Sequence, residues 1–184
     1  MKLPSTLKRI GHSTFTQCNS LKIIELPDGL EYIGVNCFSE SELESIRIPP
    51  AVKTIEMLTF YQCESLKHVE FPDGLEYLGE GCFSETGLES VDFPASLRTI
   101  SQGSLSECKN LRSARFAEGL EVLGTDESQR DSIMWFGAFQ ESALESVRLP
   151  STLKRIECST FAGCRNLTAV ELPDGLEYLG EDCF

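Results

Sequence analysis

Cysteine is the residue type in this chain that first invites chemistry. There are eight cysteines and two histidines in 184 residues. Thiolates and imidazoles at C-x₂₋₄-C and H-x₃₋₅-H spacing would build a tetrahedral zinc site. The spacing here does not. The nearest pair, Cys158 and Cys164, has five residues between its members, and His12 and His68 stand far apart. No metal and no cofactor is expected. Nucleophilic catalysis fares no better. Neither a G-x-S-x-G elbow nor a phosphate-binding loop occurs, and Gly79-Glu80-Gly81 lacks the third glycine of a dinucleotide site. His12 directly precedes Ser13, and side chains of adjacent residues point apart. The carboxylates recur in repeating turns, whereas a catalytic pair should break a repeat. The chain does not read as an enzyme. The one sequon, Asn166-Leu167-Thr168, reads as a chance match.

The cysteines follow a period. Phe15, Phe38, Phe60, Phe83, Leu105, Phe139, Phe161 and Phe184 mark one anchor position, with steps of 23, 22, 23, 22, 34, 22 and 23 residues. Two alternating units therefore make a 45-residue double repeat, and one step carries an 11-residue insertion at 125–135. Segments recur verbatim: LPSTLKRI at 3–10 and 149–156, ELPDGLEY at 25–32 and 171–178. Cys18, Cys63, Cys108 and Cys164 stand three residues after the anchor; Cys37, Cys82 and Cys183 stand one before it, with Ala138 as their fourth member. In a stacked array each set recurs every second coil, about 10 Å apart. A disulfide needs Cα atoms within about 7 Å, so bridges within a set are excluded. A bridge between the sets is not strictly excluded, but buried thiols packing as small hydrophobes are the simpler expectation. Cys158 is off-pattern and is the candidate reactive thiol.

Each unit opens on an L-x-x-V-x-L-P run, as in Leu21–Pro27 and Leu66–Pro72. The alternation predicts a short strand with one buried face, ended by a proline that cannot donate to a ladder. Asp-Gly turns follow at 28–29, 73–74 and 174–175. A second apolar pair comes next (Leu30/Ile33, Val52/Ile55, Leu75/Leu78, Leu97/Ile100), then a loop or single helical turn bearing the anchor. No unit can bury its apolar residues alone; stacked units can.

This L-x-x-V-x-L-P…L-x-x-I…F-x-x-C pattern resembles the BspA-like class of leucine-rich repeats, over essentially the whole chain except 125–135. The resemblance implies a single leucine-rich-repeat solenoid over 1–184. Its expected form is a β-rich curved parallel stack of seven to eight 22/23-residue coils with short strands, turns and single helical turns. It also implies a non-catalytic protein-interaction or adhesion module, at the cell surface or secreted. The alternative is an intracellular scaffold or purely structural repeat. Unpaired thiols and the absence of an apolar leader at the N-terminus favour that cytoplasmic setting.

Charge follows the double repeat. The position after the second-strand leucine reads Lys8, Glu31, Lys53, Glu76, Arg98, Glu121, Lys154, Glu177; the position after the first-strand leucine reads Lys22, Glu44, Lys67, Glu89, Arg112, Glu145, Thr168. Alternating signs in a parallel stack favour a structural ion-pair ladder over a recognition stripe, because they leave no net field. A third column, Glu25, Arg47, Glu70, Asp92, Arg115, Arg148, Glu171, abandons alternation at Glu70/Asp92 and at Arg115/Arg148. Those four are candidate partner contacts, against the plainer reading of a solvated sheet face.

The insertion holds Arg130, Met134 and Trp135, with Phe136 directly after it. Aromatic and Met residues on an interrupting loop suit a partner contact, or an apolar tail that folds back on the neighbouring coil. Tyr32, Tyr77 and Tyr178 form a sparser column that reads as sheet-favouring filler. The net charge of −13 repels phosphate backbones, so nucleic acid is not an expected partner. No apolar stretch is long enough for membrane insertion. Neither end carries a polar cap, which suggests a fragment of a longer array or self-association through the ends.

Overall fold

The computed structural model describes residues 1–124 and 136–184. Two short strands per coil stack in parallel on two faces. The second strands are β1 (Arg9–Ile10), β2 (Tyr32–Ile33), β4 (Thr54–Ile55), β6 (Tyr77–Leu78), β8 (Thr99–Ile100), β10 (Val122–Leu123), β12 (Arg155–Ile156) and β14 (Tyr178–Leu179). The first strands are β3 (Ser45–Arg47), β5 (His68–Glu70), β7 (Ser90–Phe93), β9 (Ser113–Phe116), β11 (Ser146–Arg148) and β13 (Ala169–Glu171), preceded by a bridge from Lys2 to Glu25. Strands β4, β6, β8, β10, β12 and β14 form one sheet in that order, and β7, β9, β11 and β13 another; β1 pairs with β2 and β3 with β5. Between the two faces the chain turns at Pro-x-x-Leu. The leucine N–H donates to the proline carbonyl, as from Leu30 to Pro27 at 2.9 Å and from Leu75 to Pro72 at 3.1 Å.

The expectation of a helical turn at the anchor is corrected: the described residues contain no helix. Two residues per coil, the second before and the second after the anchor, take left-handed backbone in most coils. Examples are Ser13 and Gln17, Asn36 and Glu40, Leu58 and Gln62, Gly81 and Glu85. Such residues cannot continue a right-handed helix. They turn alternate N–H groups out of the coil and toward the next one. Phe15 N–H donates to the Cys37 carbonyl, Phe38 to Thr59, Phe60 to Cys82 and Phe83 to Ser104, each at 2.8 Å. Gln17 N–H reaches the Ser39 carbonyl at 2.8 Å and Glu40 reaches Tyr61 at 2.8 Å. The corner is thus a third inter-coil ladder rather than a local helix.

Inside, equivalent residues stack on themselves. The rings of Phe15, Phe38, Phe60 and Phe83 are offset-stacked, their centroids 5.0–5.4 Å apart. Leu105 interrupts that column. The first strands compensate there with Phe71, Phe93 and Phe116, where other coils carry Leu26, Ile48 or Leu149. Phe93 stacks on Phe116 at 5.0 Å, and both meet the edge of Phe139.

The double repeat also sets spacing at the corner after the second strand. Even-numbered coils place glycine there (Gly34, Gly79, Gly124, Gly180), while the coils between carry Gly11, Glu56, Ser101 and Glu157. A Cβ on Gly79 would lie 2.8 Å from both the Ile55 carbonyl oxygen and the Met57 nitrogen, both backbone atoms of the preceding coil. Gly79→Ala should therefore destabilise the fold by about 1–3 kcal/mol, read as a lower denaturant midpoint at unchanged slope. A midpoint equal to wild type would show that the coils can separate freely at this corner.

Candidate interaction face

The exposed side of the first strands is built from three adjacent columns. One carries Lys22, Glu44, Lys67, Glu89, Arg112 and Glu145. The next carries Ser45, His68, Ser90, Ser113, Ser146 and Ala169. The third carries Glu25, Arg47, Glu70, Asp92, Arg115, Arg148 and Glu171. Strand register places Ser90, Ser113, Ser146 and Ala169 side by side, and likewise Asp92, Arg115, Arg148 and Glu171. The serines are exposed and small, so the flanking charges stand clear of them.

The first column forms ion pairs from each cation to the glutamate of the following coil: Lys22–Glu44 at 2.9 Å, Lys67–Glu89 at 3.7 Å and Arg112–Glu145 at 3.1 Å. Thr168 ends it, its hydroxyl donating to the Glu145 carbonyl. On the second strands Lys8 lies 2.9 Å from Glu31, and Lys53 lies 2.8 Å from Glu76. The remaining members of that column differ. Arg98 donates to the Gly119 carbonyl at 2.7 Å and so does not reach Glu121. A Cβ on Gly119 would come within 2.5 Å of that guanidinium, and the glycine backbone (φ +137°) leaves the space. Among the described residues, Lys154 and Glu177 do not come within ion-pair distance of each other. The two columns pair at alternate junctions: Lys8–Glu31 and Lys53–Glu76 join the first coil to the second and the third to the fourth. Lys22–Glu44 and Lys67–Glu89 join the second to the third and the fourth to the fifth. Charge contacts thus stitch successive interfaces in turn. Hydrogen bonding to Glu76 and its negative charge both raise the pKa of Lys53, and Glu44 does the same for Lys22.

The third column is not left without partners. Arg47 donates to Asp28 at 2.8 Å and lies 3.7 Å from Glu70; Arg115 lies 3.9 Å from Asp92, and Arg148 lies 3.8 Å from Glu171. Its like-charge neighbours remain. Arg115 and Arg148 are register partners in adjacent strands. Glu70 and Asp92 belong to β5 and β7, which do not share a sheet, so the first-strand ladder is interrupted where these two acids follow each other.

Arg130, Met134 and Trp135 lie outside the described residues. Phe136, just beyond them, is 38% exposed. Sequence reasoning missed two guanidinium–ring contacts on the other sheet. Arg9 sits 4.1 Å from the Tyr32 ring and Arg155 sits 4.5 Å from that of Tyr178, each arginine being the strand-register partner of its tyrosine. The repeated RI and EY dipeptides held that signal. Tyr77 instead accepts a hydrogen bond from Ser101 at 2.6 Å. Sequence reasoning also missed Glu157, a carboxylate only 3% exposed where most other coils carry glycine or serine. Its Oε1 accepts from Arg155 at 2.9 Å, and its Oε2 has no hydrogen-bond partner.

The cysteines are thiols, and six of the eight are buried. Cys63 Sγ donates to the Phe38 carbonyl at 3.0 Å, Cys108 to Phe83 at 3.1 Å and Cys164 to Phe139 at 3.1 Å. Each also meets the hydroxyl at the same position of the preceding coil: Ser41, Thr86 or Ser142. Burial raises the pKa of all three, and pushes Cys37 up to about 12 and Cys108 up to about 11, from an ordinary value near 9. Among the described residues, no group of three or more His, Cys, Asp or Glu could hold a metal ion.

Two parallel-stranded faces, a ladder of turns and self-stacking Leu, Ile and Phe columns define a leucine-rich-repeat solenoid. Residues 1–126 and 134–184 match the BspA type leucine rich repeat region in six copies, and the chain belongs to that family. The structure is similar to that of a leucine-rich repeat protein of T. pallidum, with a TM-score of 0.71 and 26% identity over 98% of this chain and 72% of that one. It is also similar in fold to a leucine-rich cell surface protein from Faecalibacterium prausnitzii A2-165. That match has a TM-score of 0.59 and 24% identity, over 100% of this chain and 57% of that one. No curated protein matches the chain.

Two predictions follow from these contacts. Glu76→Lys sets two lysines side by side and should lower Tm by about 1–2 °C at low ionic strength, with the difference shrinking in about 1 M salt. An equal melt at low salt would sink the ladder. The buried thiols set an alkaline limit. Below about pH 9 both folded and unfolded chains hold neutral thiols, and this contribution is intact. Above it the unfolded chain ionises first, so stability should fall from about pH 9 through the folded values near 11 and 12. Denaturant melts at pH 8 and pH 10 check this; equal midpoints would show that the thiols are solvated.

Proposed function

We propose that this chain is a non-catalytic protein-interaction module that engages its partner through the exposed face of the first strands, with adhesion at a cell surface as its setting. The observation that carries the reading is the unequal charge of that face. On coils four and five, Lys67 stands among Glu70, Glu89 and Asp92. On coils six and seven, Glu145 stands among Arg112, Arg115 and Arg148. A surface concerned with stability alone would keep the strict alternation found on the second strands. Phe136, which is exposed, is proposed as a separate apolar contact with the partner. Family membership supports a repeat protein that presents a surface. Among the described residues no helix is long and apolar enough to cross a membrane.

A second reading, an intracellular scaffold, is favoured by one observation: six buried thiols suit a reducing compartment. Site-specific photocrosslinking tests the first reading. A photoreactive residue in place of Ser113 should yield a discrete crosslinked protein in cells that express the chain, and one in place of Gln62 at the anchor corner should not. Equal yields from both positions, or none from Ser113, would refute it. Surface labelling of the same cells decides between the two settings.

A further inference from the structure

Arg115 and Arg148 break a rule that the rest of the molecule keeps. Like charges directly opposite in adjacent strands are destabilising, and among the described strand pairs this is the one place where two charges of the same sign are in register. The two side chains are also the most exposed of the paired arginines, at 82% and 90%. Arg47, Arg98 and Arg112 each donate a hydrogen bond to a carboxylate or carbonyl. Among the described residues Arg115 and Arg148 donate none, and their ion pairs at 3.9 and 3.8 Å lie beyond hydrogen-bond reach. Two arginine side chains, rich in N–H donors, therefore rise from register-paired positions next to Ser113 and Ser146, each held only loosely by the acid on its outer side. A local conflict of this kind marks a site that serves something other than the fold.

We propose that Arg115 and Arg148 together bind a carboxylate of a protein partner. We further propose that the same partner segment places a basic group over Glu70 and Asp92. The midpoints of the two pairs are two coils apart, about 10 Å. Asp92 and Glu171 flank the arginines on either side, so the site suits one carboxylate rather than a polyanion, which would meet those acids. The basic counterpart two coils away further selects a dipolar protein segment over a sulfated or phosphorylated polymer. A helix with charges of opposite sign seven residues apart spans about the required distance on one face. This assignment rests on the interaction-module reading and specifies the partner's chemistry.

The test uses the full chain and a synthetic helical peptide of alanine and glutamine, with two lysines at one end and two glutamates centred about seven residues away. Binding is followed by amide chemical shifts at low ionic strength. Shifts should concentrate on 68–70, 90–93, 113–116 and 146–148. Arg115→Gln/Arg148→Gln should weaken binding at least about fivefold without lowering Tm, because both side chains are exposed and their mutual repulsion is relieved. Adding Glu70→Lys and Asp92→Lys to Arg115→Glu and Arg148→Glu should restore affinity with the peptide reversed, as a spin label at one end would report. Unchanged affinity in the double variant, or shifts centred on the second strands, overturns the proposal. Tighter binding of a heparin oligosaccharide than of the peptide also overturns it. So does self-association of the wild-type chain that the double variant abolishes, because a second copy would then be the occupant. A Ser113 crosslink combined with failure of the peptide leaves the interaction module standing and removes only this charge assignment.

Discussion

Each coil of this protein is held at a fixed separation from the next by backbone hydrogen bonds at its corners, with the strand ladders lapsing between β2 and β4 and between β5 and β7, and everything else adapts to that separation. Two corners are parallel strands. The third depends on left-handed residues flanking the anchor, such as Ser13 and Gln17 or Leu58 and Gln62. Non-glycine residues take that conformation at some cost. The cost is offset because each N–H so redirected finds a carbonyl of the next coil, as Phe60 finds Cys82. A helix at this corner would have spent those N–H groups within the coil and left the stack joined on two sides only.

Fixed separation makes each interior position a column, and a column tolerates only side chains that stack on themselves or alternate with something complementary. Phenylalanine rings stack. Thiols alternate with hydroxyls, as Cys63 with Ser41 and Cys108 with Thr86. Corner glycines alternate with larger residues, as Gly79 with Glu56. Lysines alternate with glutamates. The 45-residue period is thus a physical unit: two coils whose sizes, polar groups and charges fit each other better than either fits a copy of itself. Where Leu105 breaks the aromatic column, Phe93 and Phe116 fill the space from the strand side.

The same logic separates structure from candidate function on the surface. On the second strands Lys8 and Lys53 pair across the stack, Arg98 turns to a backbone carbonyl, and the strict alternation of sign cancels the charge locally. Those on the third column also find opposite neighbours, yet they group by sign over four successive coils. Grouping contributes nothing to the stack, since pairs at 3.8 and 3.9 Å between highly exposed groups are weak. What it creates is a local field on an otherwise acidic molecule. The proposed contact rests on that distinction between charges spent within the fold and charges left facing outward.

The sequence by itself determined the repeat, its period, the two strands per coil and the buried columns. These follow from spacing alone, because a stack turns period directly into neighbourhood. It also carried the sign pattern of the charged columns. It did not determine the anchor corner, where a short polar segment suits a helical turn as well as a chain of alternating left-handed residues. Only the demand of the neighbouring coil for hydrogen bonds selects the second. Nor did it decide which charges meet. Arg98 turns to Gly119 because a missing Cβ leaves room, and Arg115 is set beside Arg148 because the coils that carry them are adjacent in register despite the 32 residues between them. Local pattern names the residues of a column; the tertiary stack decides which of them are satisfied by their neighbours and which are left for a partner.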